Sequence, residues 1–166
     1  MPIADSEIQL RLSGGASNTN PNASLGGAIS NTALNVSNPM NSLFDLVTGD
    51  ESAEGDTEYR VIYMRNGNST LTGERFKLYI TENDGNRISI GAGEAVNATA
   101  QTLATEETTP SGVTFGVHTS RATALVLGTM APSQFRAIYV RRVIPPANAV
   151  DNEANVEFTL EVDSPE

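Results

Sequence analysis

The sequence contains no cysteine and no tryptophan, a single histidine (His118) and a single lysine (Lys77). Without cysteine there is no disulfide, no thiolate nucleophile, no Cys-based zinc site and no iron–sulfur cluster. One histidine excludes a multi-histidine metal site within one chain. Charged residues make up 18% of the chain, below the roughly 25% of an ordinary globular protein. Positive charge is the scarcer sign, with ten basic residues against twenty acidic ones and a net charge of −10. Phosphate backbones and anionic lipid surfaces repel such a chain, so neither direct nucleic-acid binding nor membrane binding is expected. No apolar run approaches the ~18 residues of a membrane-spanning helix. Residues 1–12 show no basic stretch followed by an apolar core, so a soluble chain made in a cytoplasm is expected. Four glycosylation sequons, at Asn22, Asn35, Asn68 and Asn97, are what this composition produces by itself.

Uncharged polar residues replace the missing charge: 15 Asn, 17 Thr and 14 Ser in 166 residues. These types suit turns, loops and solvent-facing strand positions better than helix interiors. The length fits one domain, or one domain with an arm, and is sufficient to bury a core. Apolar residues at Ile8, Leu10 and Leu12 alternate with Glu7, Gln9 and Arg11, which predicts a strand over residues 7–12. Residues 13–41 then hold seven of the 15 asparagines with two Gly-Gly pairs and two prolines, and read as a long irregular arm. Asn41-Ser42, the apolar Leu43, Phe44, Leu46 and Val47, and a stop at Gly49 predict one or two helical turns. Six carboxylates follow between Asp45 and Glu58 with no basic residue among them. Their spacing does not match an EF-hand loop, and a solvated acidic loop is the plainer reading.

Residues 59–65 are apolar on both faces, as in an interior strand. Residues 76–81 and 87–90 alternate around Asn83-Asp84-Gly85-Asn86, the clearest hairpin pattern in the chain. Residues 92–110 read as mixed loop. Further strands are predicted over 113–117, 122–127, 134–144 and 155–162, with turns at 128–133 and 145–152. Seven or eight short strands without alternating helices define an all-β chain: an antiparallel β-sandwich or jelly roll with an extended N-terminal arm. Residues 1–55 are assigned to the N-terminal strand, arm and short helix, and residues 56–166 to the β-sandwich domain. On this reading the sandwich folds without residues 1–41.

Catalytic patterns do not emerge. Gly91-Ala92-Gly93-Glu94 opens like a dinucleotide fingerprint, but the third glycine is missing and Glu94 would repel a pyrophosphate. There is no phosphate-binding Gly-Lys-Ser/Thr loop and no Gly-x-Ser-x-Gly elbow to serve His118, which reads as a strand-end surface or packing residue. Glu157 and Glu161 share one strand face about 13 Å apart, too far for a glycosidase pair. Glu106-Glu107 read as a solvated loop. No enzyme activity, cofactor or metal is expected. Nine of the ten basic residues are Arg, and Arg60, Arg65, Arg75, Arg136, Arg141 and Arg142 lie within strands. Protein contacts and ordinary sheet-face ion pairs are equally good readings of them.

Several stretches resemble a family of small structural proteins of tailed-phage virions. They are Leu12-Ser13-Gly14-Gly15-Ala16-Ser17-Asn18 running to Gly26-Gly27-Ala28-Ile29-Ser30, Leu43-Phe44-Asp45 and Gly55-Asp56-Thr57-Glu58-Tyr59-Arg60. Thr109-Pro110-Ser111-Gly112-Val113-Thr114-Phe115 and the stretch from Leu127-Gly128 to Arg141-Arg142 continue the likeness over most of the chain. The resemblance implies a virion component on the capsid exterior: a decoration or cement protein with the major capsid protein as partner, commonly a homotrimer. A sandwich with an uncharged arm suits a clamp that gains affinity from wrapped backbone and multivalency. The candidate partner-binding residues are Leu12 at the end of the first strand, Asn18, Asn20, Asn22, Leu25, Ile29 and Leu34 in the arm, Leu43 and Phe44 in the short helix, and Arg141 with Arg142. Two alternatives stay open: a tail or vertex fibre-associated adhesion protein, and a free carbohydrate- or calcium-binding sandwich module.

Overall fold

The structure, a computed structural model, describes residues 2–35, 42–147 and 156–163. Asn41 as helix start, Asn155 as first residue of the last strand, and most of the predicted turn at 145–152 lie outside the described residues. Eight strands and one short helix are seen: β1 (Ile8–Ser13), β2 (Ile29–Ala33), α1 (Gly49–Glu54), β3 (Asp56–Asn66), β4 (Gly73–Asn83), β5 (Ile88–Gly91), β6 (Leu125–Met130), β7 (Phe135–Ile144) and β8 (Val156–Asp163). They form two antiparallel sheets, one of five strands in the order β2-β1-β3-β7-β5 and one of three in the order β6-β4-β8. The chain is all-β, as its composition and alternation imply.

One core joins the two sheets. Leu10 and Leu12 of β1, Ile62 and Met64 of β3, Ile138 and Val140 of β7 and Ile88 and Ile90 of β5 pack against Phe76, Leu78 and Ile80 of β4 and Leu127 and Met130 of β6. Val156, Phe158, Leu160 and Val162 of β8 lean on the same core, the face their alternation predicts. β3 is buried on both faces because the other side of the large sheet is also covered. There Tyr59, Val61, Tyr63, Ala137 and Tyr139 lie under Ala100, Leu103, Val113, Phe115, Leu25 and Ile29, contributed by loops and by β2.

Over its described residues, 13–35, the Gly/Asn-rich segment departs from the predicted extended arm. It folds back as β2 alongside β1, and its loop docks on the large sheet, with Leu103 N–H donating to Leu25 O (2.7 Å) and Val61 N–H to Ser24 O (2.7 Å). Gly26 is required at this crossing: its φ is +94°, and a Cβ there would stand 1.9 Å from the Gln101 carbonyl oxygen. Asparagines supply the turns, Asn20 accepting from Asn22 N–H (3.1 Å) and Asn18 donating to Ser13 O (2.6 Å). β1 therefore sits inside the large sheet between β2 and β3, and the first 35 residues cannot be removed without taking two strands from it.

Three other predictions are corrected. Residues 43–47 are not helical; the helix begins one turn later, where Thr48 and Glu51 form a capping box. Thr48 Oγ1 accepts from Glu51 N–H (3.3 Å) and Glu51 Oε2 from Thr48 N–H (2.6 Å), a stronger start signal than Asn41-Ser42. Residues 113–117 make only an isolated bridge from Gly116 to Ile90 and otherwise serve as a cover. The hairpin pattern at 76–90 is not a hairpin: β4 belongs to the small sheet and β5 pairs with β7 in the large one. The turn is a corner between sheets, where the Asn83 amide donates to Ile88 O (2.8 Å) and accepts from Ile88 N–H (3.1 Å). One side chain thus takes the place of a strand partner.

Candidate functional site

At one end of the sandwich the core face of the large sheet changes from apolar to ionic. The β3 residues facing the core are Glu58, Arg60, Ile62 and Met64, and β7 places Arg142 directly opposite Glu58. Glu58 and Arg60 have no solvent exposure. Arg142 Nε donates to Glu58 Oε2, its Nη1 to Asp45 O (2.7 Å) and its Nη2 to Asp45 Oδ1 (3.4 Å). Arg60 pairs with Glu106 through Nη2, lies 3.8 Å from Asp45 Oδ1 and donates from Nη1 to Tyr59 O (3.2 Å). The Phe44 ring contacts both guanidinium groups, its centroid 5.2 Å from Arg60 and 4.8 Å from Arg142. Such a contact contributes about 0.5–1 kcal/mol when exposed and about 2 kcal/mol when desolvated.

Sequence order explains the assembly. Leu43, buried, plugs the open end of the core and delivers Phe44 and Asp45 to the arginines. Glu106 arrives because β1 ends at Ser13 and leaves the start of β3 with a free edge, which Tyr59 N–H uses to donate to Glu106 O (2.6 Å). The solvated loop read at Glu106-Glu107 is thus corrected for Glu106, whose carboxylate neutralises a buried arginine. Burial pushes the Glu58 carboxyl above its usual range; Arg142 and Arg60 oppose that shift and Glu106 adds to it.

Beside this cluster lies an open cleft of about 480 Å³ lined by Asn22, Leu25, Asp45, Thr105, Glu106 and Glu107. It offers carboxylates, an amide and a hydroxyl around one apolar side chain, a set that receives polar or cationic groups. Among the described residues two carboxylate trios could hold a cation: Asp45, Glu58 and Glu106, and Glu51, Asp56 and Glu58, with one oxygen from each residue of a trio within 4.8 Å of the others. In the first trio every carboxylate already meets a guanidinium; in the second only Glu58 does among the ion pairs of the described residues.

A second polar group fastens the loop cover to the large sheet. Tyr139 Oη donates to Glu94 Oε1 (2.6 Å) and accepts from Gln101 N–H (3.1 Å). Tyr63 Oη donates to Gly27 O and accepts from Ala100 N–H (2.8 Å). Sequence gave no signal for this, since the partners lie 36 to 45 residues away. His118 is held at φ +46° with Nδ1 2.6 Å from Thr123 O.

The predicted partner-binding residues separate into three groups. Leu12 (1% exposed), Leu34 and Leu43 are buried and belong to the chain's own core, a correction to their reading as contact residues. Asn18, Leu25, Ile29, Phe44, Arg141 and Arg142 are half-buried, and Asn20 and Asn22 are exposed. Arg142 and Phe44 meet in the ionic cluster, and Asn22 and Leu25 in the cleft beside it. Arg141 lies on the opposite face of β7, donating to Ser89 Oγ (2.9 Å) and lying over the Phe115 ring. All seven strand arginines have partners within the chain, among them Arg11 at Gln9 and the Asn31 carbonyl, Arg65 at Gln9 and Ser133, Arg75 at Asp163 and Arg136 at the carbonyls of Glu94 and Leu127. Comparison of the chain with protein-family models, curated proteins and solved structures returned no match.

Proposed function

We propose that this chain is a non-enzymatic virion structural protein that binds the exterior of a capsid lattice and stabilises it, with the major capsid protein and further copies of itself as neighbours. The observation that carries this reading is the cleft: Asn22 and Leu25, from the segment on which the resemblance to phage structural proteins begins, line it together with Asp45 and Glu106. The segment is therefore a preformed surface, and a surface ordered before binding avoids the entropy that a free arm would lose on docking. Support for self-association comes from the small sheet, whose outer strands β6 and β8 each pair on one side only among the described residues. Val126 on β6 is 51% exposed, and an unpaired edge with an apolar side chain is a ready template for a neighbouring copy.

The test is the copy number of this chain relative to the major capsid protein in purified particles, by quantitative mass spectrometry. A number comparable to that of the capsid protein is expected. A handful per particle would place the chain at a tail or vertex, and absence from the particle would remove the virion reading.

A further inference from the structure

The end of the sandwich where α1 meets β3 gathers more carboxylate than its arginines neutralise. Asp45, Glu51, Asp56, Glu58 and Glu106 converge on the end of the sandwich, and among the described residues they form ion pairs with Arg60 and Arg142 alone. Three negative charges remain. Among these groups, one oxygen each of Glu51, Asp56 and Glu58 lie within 4.8 Å of one another. Two oxygens bound to one calcium ion at about 2.4 Å stand no more than about 4.8 Å apart, so the trio is compact enough to share an ion.

Each of the three carboxylates uses one oxygen within the protein. Glu51 Oε2 accepts from Thr48 N–H, Asp56 Oδ1 accepts from Thr57 N–H (2.7 Å), and Glu58 Oε2 takes Arg142 Nε–H. The other oxygen of Glu58 supplies a separate observation. Its side chain has no solvent exposure, and Oε1 is buried with no hydrogen-bond partner among the described residues. A buried carboxylate oxygen without a partner is costly, and the cost is relieved by a cation on that oxygen. The ligands are also held in place before any ion arrives. The capping box orients Glu51, Gly55 turns the chain at φ +81°, and Ala147 N–H donates to Ala53 O (3.1 Å).

We propose that Glu51, Asp56 and Glu58 form a binding site for a calcium-class divalent cation at the junction of α1 and β3. The all-oxygen, all-carboxylate donor set selects a hard cation. Three protein ligands completed by water suit the adaptable coordination of calcium, whereas magnesium demands near-ideal octahedral geometry. The site does not depend on the capsid reading and would serve the same chain in any setting.

The test is a titration of the full chain with calcium chloride, followed by calorimetry and by thermal melting, with magnesium chloride in parallel. One saturable calcium site is expected, with a rise in Tm of several degrees and weaker binding of magnesium. Glu51→Gln and Asp56→Asn keep an acceptor for the Thr48 and Thr57 N–H groups and so keep the fold, which circular dichroism checks. Each should weaken calcium binding by about tenfold or more. Glu54→Gln, which removes a neighbouring exposed carboxylate outside the trio, should change it by less than about twofold. Absence of a saturable calcium signal overturns the proposal. So does an equal loss in Glu54→Gln, which would mean diffuse attraction to the acidic segment, and so does magnesium binding as tight as calcium.

Discussion

Glu58 and Arg142 show how much one buried ion pair can matter. Glu58 has no solvent exposure and the Arg142 side chain 12%, so neither charge is well served by water. Breaking a buried pair by removing one partner costs about 3–5 kcal/mol, because the other charge is left uncompensated. Arg142→Met should therefore lower unfolding stability by an amount in that range, read from urea midpoints. Adding Glu58→Leu to it should recover part of the loss. Arg75 and Asp163 form the contrasting pair, with 68% and 30% side-chain exposure, and Arg75→Ala should cost less than about 1 kcal/mol. Equal effects of the two arginine substitutions would refute the distinction. The residues themselves were visible in the sequence, Glu58 in the acidic run and Arg142 among the strand arginines. Their pairing was not, because it depends on the register that sets Glu58 opposite Arg142 across 84 residues.

At the scale of elements, the corner between β4 and β5 turns on Asn83. Its amide satisfies both the N–H and the carbonyl of Ile88, a buried residue at the start of β5. Asn83→Ala leaves those two backbone groups unpaired and should destabilise the protein by about 1–3 kcal/mol. Hydrogen exchange at the Ile88 amide should rise together with that loss. Unchanged exchange would show that the ladder to β7 holds the corner unaided. Local pattern located this turn correctly, since Asn, Asp and Gly tolerate the left-handed backbone a turn requires. It could not say whether the two strands pair with each other or part into different sheets, because both outcomes present the same apolar alternation. The helix was displaced for a related reason: Leu43 and Phe44 have the apolar spacing of a helix face, but the open end of the core takes them, and helix formation waits for the Thr48 capping box.

For the whole molecule, the loop cover and the large sheet are joined through tyrosines. Burial holds the Tyr63 phenol above its usual range, with the Glu94 charge adding to it. Burial likewise raises Tyr139, reinforced by its hydrogen bond to Glu94, and Tyr79 is raised first by its hydrogen bond to Glu161. A folded-state pKa above the unfolded value gives stability that is fully present below about pH 10, where an unfolded tyrosine begins to ionise. That stability is lost as the pH climbs from there through the folded values. Urea midpoints should thus fall steadily above about pH 10, less steeply in Tyr139→Phe, while tyrosinate absorbance lags behind that of a free phenol. A stability that stays level over that range would contradict the role given to these phenols. The sequence by itself determined the all-β class, the strands at β1, β3, β7 and β8, and which face of β8 turns inward, because each follows from side-chain periodicity along a few consecutive residues. Only the tertiary structure decided that the Gly/Asn-rich segment folds onto the large sheet, that β4 and β5 part company, and that Phe44, Asp45, Glu58, Arg60, Glu106 and Arg142 meet at one end. Those outcomes are set by free strand edges and an unfilled end of the core, features that exist only after distant strands have paired.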